Sequence, residues 1–440
     1  MKMTVLKIVF IFFILGLQSC ASGPKTISEI DTSVSQANYA AAVSGIENLR
    51  NVRGSVYNPD RNAILFYLDR GMVNYYAGFF SDSARDLEEA ERLIEEAFTR
   101  SITMEIATFI ANDNAREYPG EDFEDLYINI FNALNYYNRD NMEGALVEIR
   151  RANEKLTVLA DRYERTRERA VSADRNMPTE TVTEAANFSN SALARYISLI
   201  FFRSIGRVDD VRIDYEELHR AFELAPAVYN HPIPGSISQE RSVPQGMARL
   251  NIIGFTGMSP VKQEENLRIP LPLPYPNSSA LVSLPRMVDR SSAIESIEVV
   301  LNTGQSFNLE LLEDMSRVAR ETFRARYSNI VLKTTARSIA KATSGAVAAR
   351  AAEERGGTLM GITVGILSRV AADASENADL RMSRFFPAQA HVGGINLEPG
   401  VYSITVNYYG RGRNLIASER RDNVPVREGV LNLSQFVRKR

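Results

Sequence analysis

The sequence predicts an α+β multidomain protein, with an N-terminal stack of helical hairpins followed by a β-rich domain that carries a helical insertion. Three observations predict it. Proline is scarce between residues 61 and 225, where only Pro119 and Pro178 occur, but 226–285 holds ten of the chain's seventeen. Proline lacks an N–H and clashes within a helix, so the first stretch permits long helices and the second forbids them. Apolar residues recur at helical spacing before residue 225, whereas Tyr402, Ile404, Val406 and Tyr408 alternate with polar residues near the end. The 440 residues are 45% hydrophobic and 24% charged, which suits a buried core and opposes wholesale disorder. A net charge of −3 supplies no basic field for nucleic acid.

The chain opens with Lys2 and Lys7 around an apolar run at 8–17. Ten residues of helix rise about 15 Å, half of the ~30 Å hydrocarbon core, so the run suits an export signal better than a membrane span. Leu17-Gln18-Ser19-Cys20 follows, and Cys20 is the only cysteine. This arrangement resembles the lipobox of bacterial lipoproteins. The resemblance implies cleavage between Ser19 and Cys20, with diacylglycerol and fatty acyl chains on Cys20 as the only attached groups. Residues 1–19 are then the signal peptide and 20–27 a linker. Ala21 after the cysteine implies the outer membrane, facing the periplasm, with the outer leaflet of the cytoplasmic membrane as the alternative.

Residues 28–225 read as stacked hairpins. One stripe comprises Ala84, Leu87, Ala90, Ile94 and Ala97; another comprises Phe123, Leu126, Tyr127, Ile130, Leu134 and Tyr137; a third comprises Ala145, Ile149, Ala152, Leu156 and Leu159. Tyr67, Gly71, Gly78, Phe80, Ser83, Leu87 and Ala90 resemble a tetratricopeptide repeat. Ala133, Tyr136, Met142, Ala145, Ile149 and Ala152 repeat the spacing, with Asp140 in place of the turn glycine. A looser pair covers 187–224, and Asn38-Tyr39 with Ala42, Ile46 and Leu49 reads as a lone second helix. Such pairs bury their apolar faces only by stacking. The repeat resemblance implies a concave groove for a protein segment, lined by Leu68, Met72, Tyr75, Tyr76, Ile130, Leu134, Tyr137 and Asn138. The same tyrosines could equally pack the array or contact the C-terminal half.

Residues 226–309 form a Pro-rich, strand-bearing segment, with strands expected at 249–255, 267–273 and 280–284 and a hairpin of 294–301 with 305–311 around Asn302-Thr303-Gly304. Helical periodicity returns at 311–327 and 330–354, giving a helical insertion at 310–380. Residues 381–440 hold the C-terminal strands, at 402–408, 414–418, 424–426 and 431–437. The turn Leu397-Glu398-Pro399-Gly400 with its alternating strand resembles the small β-sandwich modules of envelope proteins. Strands on both sides of the insertion are expected to share one domain.

The lipobox, the divergent repeats, Gly257-Met258-Ser259-Pro260-Val261-Lys262, and Asp379-Leu380-Arg381 leading to Phe386-Pro387-Ala388 follow in order. Together they resemble an uncharacterised family of bacterial repeat-containing lipoproteins. That family has no established activity, and the resemblance implies association with secretion or cell-wall assembly. The expected function is a lipid-anchored envelope scaffold, not an enzyme, that binds a protein or peptide segment.

Two alternatives come from other classes. Ser338-Ile-Ala-Lys341 matches the S-x-x-K pattern of penicillin-binding enzymes, but S-D-N is missing and Lys333-Thr334-Thr335 lacks the glycine of K-T-G. Arg320, Arg324, Arg326, Lys333, Arg337 and Lys341 form a basic cluster that suits anionic lipid or peptidoglycan, or simply a solvated helix face. His219, His231 and His391 are scattered, and the acidic pairs Glu88-Glu89, Glu95-Glu96 and Glu121-Asp122 read as solvated faces or helix starts, with no metal-ligand spacing.

Overall fold

The structure, a computed structural model, describes residues 26–103, 117–173, 188–270, 279–290, 292–356 and 377–439. The expected signal peptide, Ser19 and Cys20 lie outside these residues. Among the described residues eight helices come first: α1 (Ile27–Ser35), α2 (Tyr39–Arg50), α3 (Pro59–Tyr76), α4 (Phe80–Thr103), α5 (Asp122–Asn138), α6 (Met142–Ala173), α7 (Ala192–Ser204) and α8 (Val208–Leu224). Successive helices pack as pairs. The Asn38 helix thus has a partner in α1, which the sequence reading left out because Ile30 and Val34 are its only buried residues. Local chemistry starts the helices: Thr26 and Glu29 cap α1 reciprocally, Asn58 caps α3 with Pro59 behind it, and Ser191 caps α7. The hairpin turns need left-handed backbone, supplied by Gly78 (φ 80°), Asp140 (φ 56°) and Gly206 (φ 73°).

Nine strands follow among the described residues: β1 (Ala248–Thr256), β2 (Met258–Pro270), β3 (Ser279–Arg290), β4 (Ser296–Leu301), β5 (Ser306–Asp314), β6 (Gln389–Leu397), β7 (Gly400–Gly410), β8 (Asn414–Val426) and β9 (Asn432–Arg438). Seven form one sheet in the order β8-β7-β4-β5-β6-β1-β9, while β2 and β3 make a separate hairpin. All ladders are antiparallel except β1 with β9. The sheet curls until its edges meet: Arg421 of β8 donates to the Gln435 carbonyl of β9 and lies 4.1 Å over the Phe436 ring.

The expected sandwich is therefore one nearly closed sheet and not two facing ones, since alternation along 402–408 fits any half-buried strand. Charged Lys262, Glu264 and Glu265 hid the first part of β2, and the strands expected at 414–418 and 424–426 are one strand, β8. Residues 311–314 end β5 instead of starting a helix, and the two expected insertion helices are one, α9 (Met315–Gly356). The strands flanking α9, β5 and β6, do pair with each other.

Alternation splits the strands between two cores. Ile253 and Phe255 of β1, Leu312 of β5 and Val392 of β6 join the helices in one continuous core, while Leu250, Ile252, Val299, Ile404 and Val406 pack on the sheet's other face. Within the array Gly71 allows α3 to meet α4, because a Cβ there would lie 2.9 Å from Leu87 Cδ2. Gly71→Val should destabilise the protein by about 1–3 kcal/mol through overpacking, read as a lower denaturant midpoint; an unchanged midpoint would contradict this packing.

Candidate peptide-holding groove

Of the residues expected to line a groove, Tyr75, Tyr76, Tyr137 and Asn138 meet the C-terminal half of the same chain, at β9 and at Phe385. Leu68, Met72, Ile130 and Leu134 are fully buried in the shared core. The Tyr75 hydroxyl donates to Gln435 Oε1, and Asn138 Nδ2 donates to the same oxygen at 3.0 Å. The Tyr76 hydroxyl donates to the Phe385 carbonyl. The Tyr137 hydroxyl accepts from the Leu433 N–H at 3.0 Å and donates to the Leu431 carbonyl at 3.1 Å. The face is covered in cis by β9 and by residues 379–386, so among the described residues it is not an open surface.

Residues 379–386 run without regular secondary structure over α3 and α5. At one end Arg381 pairs with Asp379 at 2.7 Å, reaches Asn62 Oδ1 at 3.1 Å and lies over the Tyr118 ring. The Arg381 carbonyl accepts from Lys262 Nζ at 3.2 Å. In the middle, the Ser383 N–H donates to Glu124 Oε1 at 2.6 Å. The Ser383 hydroxyl and the Arg384 N–H both donate to Asp69 Oδ1, at 2.6 and 2.8 Å. Arg290 donates to the Arg384 carbonyl, and Ser259 donates its hydroxyl to the Ser383 carbonyl and its N–H to the Phe386 carbonyl. Phe385 and Phe386 are fully buried, the Phe386 ring lying 5.8–6.2 Å from those of Phe123, Tyr127 and Phe131. An extended strand with no ladder must satisfy its polar groups elsewhere, and here carboxylates, hydroxyls and cations from four elements do so.

Asp69 and Glu124, which sequence reasoning missed, are both fully buried. The available signal was a lone acid within the apolar stretch Ile64 to Met72, and a second acid three residues after Glu121. Glu121 and Glu124 cap α5 reciprocally, as the helix-start reading had it, but both are buried. Burial raises the Asp69 carboxyl to about 6, against the pull of Ser383 and Tyr57. Burial, then the neighbouring Glu121, pushes Glu124 up to about 8 despite donors from Ser383, Glu121 and Tyr118. Lys439, buried 3.9 Å from the Tyr76 ring centroid, is held well below the usual lysine range by burial and then by Arg290.

The other singled-out residues lie elsewhere. The Ser338 hydroxyl is buried on α9 and donates to the Thr334 carbonyl at 2.8 Å. The basic cluster is spread among partners: Arg320 pairs with Asp289, Arg324 with Glu321, and Arg326 with Glu121. The Lys333 side chain lies outside the described residues. His219 contacts the Tyr215 carbonyl, while His391 is buried beside Thr256 and pushed down to about 4 by burial, then by His231. Among the described residues no three His, Cys, Asp or Glu side chains are placed to hold a metal.

Compared with protein-family models, curated proteins and solved structures, the chain matches none.

Glu124 gives the groove a pH signature. Its folded pKa of about 8 stands above the ordinary 4.5, so its contribution favours folding fully below 4.5 and is lost as pH rises through about 8. Melting temperatures across that window should fall less steeply in Glu124→Gln than in wild type; parallel curves would contradict this assignment.

Proposed function

We propose that the chain is a lipid-anchored cell-envelope scaffold. Acyl chains on Cys20 hold it to the outer membrane, facing the periplasm. Helices α1–α8 form a tetratricopeptide-like array, and the array and sheet act together as one docking body for envelope proteins. The observation that carries this reading is the way residues 379–386 are held, by main-chain capture at Asp69 and Glu124 and by the aromatic anchor Phe386. Those are the means by which a protein segment is bound, with orientation from polar groups and affinity from a buried ring. In this reading the array spends its groove on its own C-terminal half, and partners meet the outer surfaces of the joined body. The resemblance drawn from the motifs supplies the setting, secretion or cell-wall assembly.

Tether length favours the same reading. Thr26, the first described residue, stands six residues after Cys20, and an extended chain covers at most about 20 Å in that distance. A body fixed so closely would be confined to the membrane surface, where a scaffold for envelope assemblies works. Several acyl chains on one residue make such anchoring stable, at about 0.8 kcal/mol per buried CH₂.

Metabolic labelling with a fatty-acid analogue, followed by fractionation and crosslinking, tests the proposal. Wild type should carry the label and crosslink to envelope proteins, whereas Cys20→Ser should lose the label, leave the membrane fraction and lose the crosslinks. Unaltered membrane association of Cys20→Ser would contradict the anchor. Labelling by a β-lactam or serine-reactive probe that disappears in Ser338→Ala would replace the scaffold with an acyl-enzyme.

A further inference from the structure

We infer that the wedge between β5 and β6, closed over by the 3₁₀ helix Gly235–Gln239, is a binding site for a neutral saccharide. The inference goes beyond the scaffold reading and stands whether or not Cys20 is acylated.

Strand pairing creates the wedge. β6 pairs with β1 along its whole length, from Gln389 with Thr256 to Leu397 with Ala248. Its ladder with β5 covers only the stretch from Gln389 with Asp314 to Val392 with Glu310. Beyond that point β5 stays with β4, through Leu309 with Ile297 to Ser306 with Val300. At Gly393 the two strands still touch, since a Cβ there would lie 2.8 Å from Leu309 Cδ2 and 3.1 Å from the Asn308 carbonyl oxygen. One residue further they part around a cleft of about 330 Å³, lined by Ser236, Gln239, Phe307, Asn308, Glu310 and Gly394. That volume is at the lower end of the range for small-molecule sites. A Cβ on Gly394 would lie 2.9 Å from Arg249 Nη2, so the missing side chain makes room for the guanidinium beside the cleft.

The charges speak against an ionic ligand. Arg249 is buried and its charge is met by Glu240 at 2.6 Å, so it has little to offer an anion. Among the described residues no Lys or Arg lines the cleft, and the carboxylate of Glu310 opposes an anion there. A cation finds that one carboxylate alone, with Oε2 already accepting the Gly235 N–H at 2.8 Å.

The remaining groups suit hydroxyls. Gln239, Asn308 and Glu310 are exposed. Arg249 Nη1 donates to Gln239 Oε1 at 2.8 Å, which holds that amide in place and leaves its N–H₂ to donate. Asn308 both donates and accepts, and Glu310 accepts. The Ser236 hydroxyl oxygen is buried without a hydrogen-bond partner. Such orphans are rare in folded proteins, and a ligand hydroxyl in the cleft supplies the missing partner. A sugar hydroxyl donates and accepts at once, so it matches this set of amides, carboxylate and hydroxyl better than a purely apolar or a charged ligand does. Half-buried Phe307 adds carbon surface for the C–H groups of a sugar ring.

Saturation-transfer NMR on the full-length protein, in a detergent without a sugar headgroup, tests the site. The probes are chitotetraose, an N-acetylglucosamine oligomer like the glycan of a cell wall, and maltotetraose, a glucose oligomer. Saturable binding with a Kd of about 1 mM is expected. It should persist in about 1 M salt, where charges are screened within ~3 Å. Asn308→Ala and Ser236→Ala, at unchanged melting temperature, should each weaken it about three- to tenfold through one lost hydrogen bond. Glu310→Gln, whose amide still accepts, should keep it within about threefold. Preference for chitotetraose assigns a wall glycan, and preference for maltotetraose or for neither assigns general hydroxyl recognition; both outcomes support a saccharide site. The inference is overturned by an absence of binding at about ten times the expected Kd, or by binding that both alanine variants leave unchanged. Binding that vanishes in salt and in Glu310→Gln, as an amine ligand would show, overturns it too. Each of these results leaves the anchor and the scaffold reading standing.

Discussion

Two buried carboxylates, Asp69 on α3 and Glu124 on α5, bind the main chain at Ser383 and Arg384, and the joining of the helical and β halves depends on that capture. Each acid sits on a helix that the apolar pattern places at the inner face of the array, and each accepts from the segment that leads into β6. A hydrogen bond contributes about 0.5–1.5 kcal/mol net, whereas a buried polar group left without its partner costs about 1–3 kcal/mol. The acids and the segment are therefore mutually required: without the segment Asp69 loses the Ser383 hydroxyl and Arg384 N–H and Glu124 loses the Ser383 N–H, and without the acids the segment's amides lose their acceptors.

The same device recurs where other parts of the two halves meet. Glu313, at the end of β5, accepts from Tyr127 of α5, from Ser191 and Leu193 at the start of α7, and from Tyr229. Glu240 takes Arg249 and Asn251 of β1 together with Arg203 of α7. In each case a fully buried acid gathers donors across the boundary. Removing one partner of the buried Glu240–Arg249 ion pair costs about 3–5 kcal/mol, whereas its formation adds little net stability, so that contact fixes one arrangement more than it strengthens it. Phe131 and Phe386 lie within the continuous core between the clamps, which makes the array and the sheet a single packed body.

The sequence made periodic parts legible and hid contingent ones. The hairpins of α3/α4 and α5/α6 could be read because Gly71, Leu87, Ala133 and Ala145 obey a local spacing, and Asp140 could be read as the turn residue because few side chains tolerate that backbone. Strand β1 and the β4–β5 hairpin followed from short apolar runs and Gly304. The first half of β2 did not, since Glu264 and Glu265 face solvent on a two-stranded ribbon while Lys262 is buried against Glu121, so alternation is weak. The groove-facing tyrosines were legible as a set, but what covers them was not. Their partners Gln435, Phe385 and Leu433 lie about three hundred residues downstream, and no local pattern encodes so distant a contact. Asp69 escaped for a related reason: an acid in an apolar stripe declares burial only once its donors are known.

Amide hydrogen exchange at Ser383 and Arg384 tests the carboxylate capture most directly, comparing wild type with Asp69→Ala. The account predicts slow exchange in wild type, and in the variant faster exchange at both residues together with β9, because the segment and the last strand cover one surface. Rapid exchange of Ser383 and Arg384 in wild type, or an Asp69→Ala protein in which these residues and β9 stay protected, would contradict it.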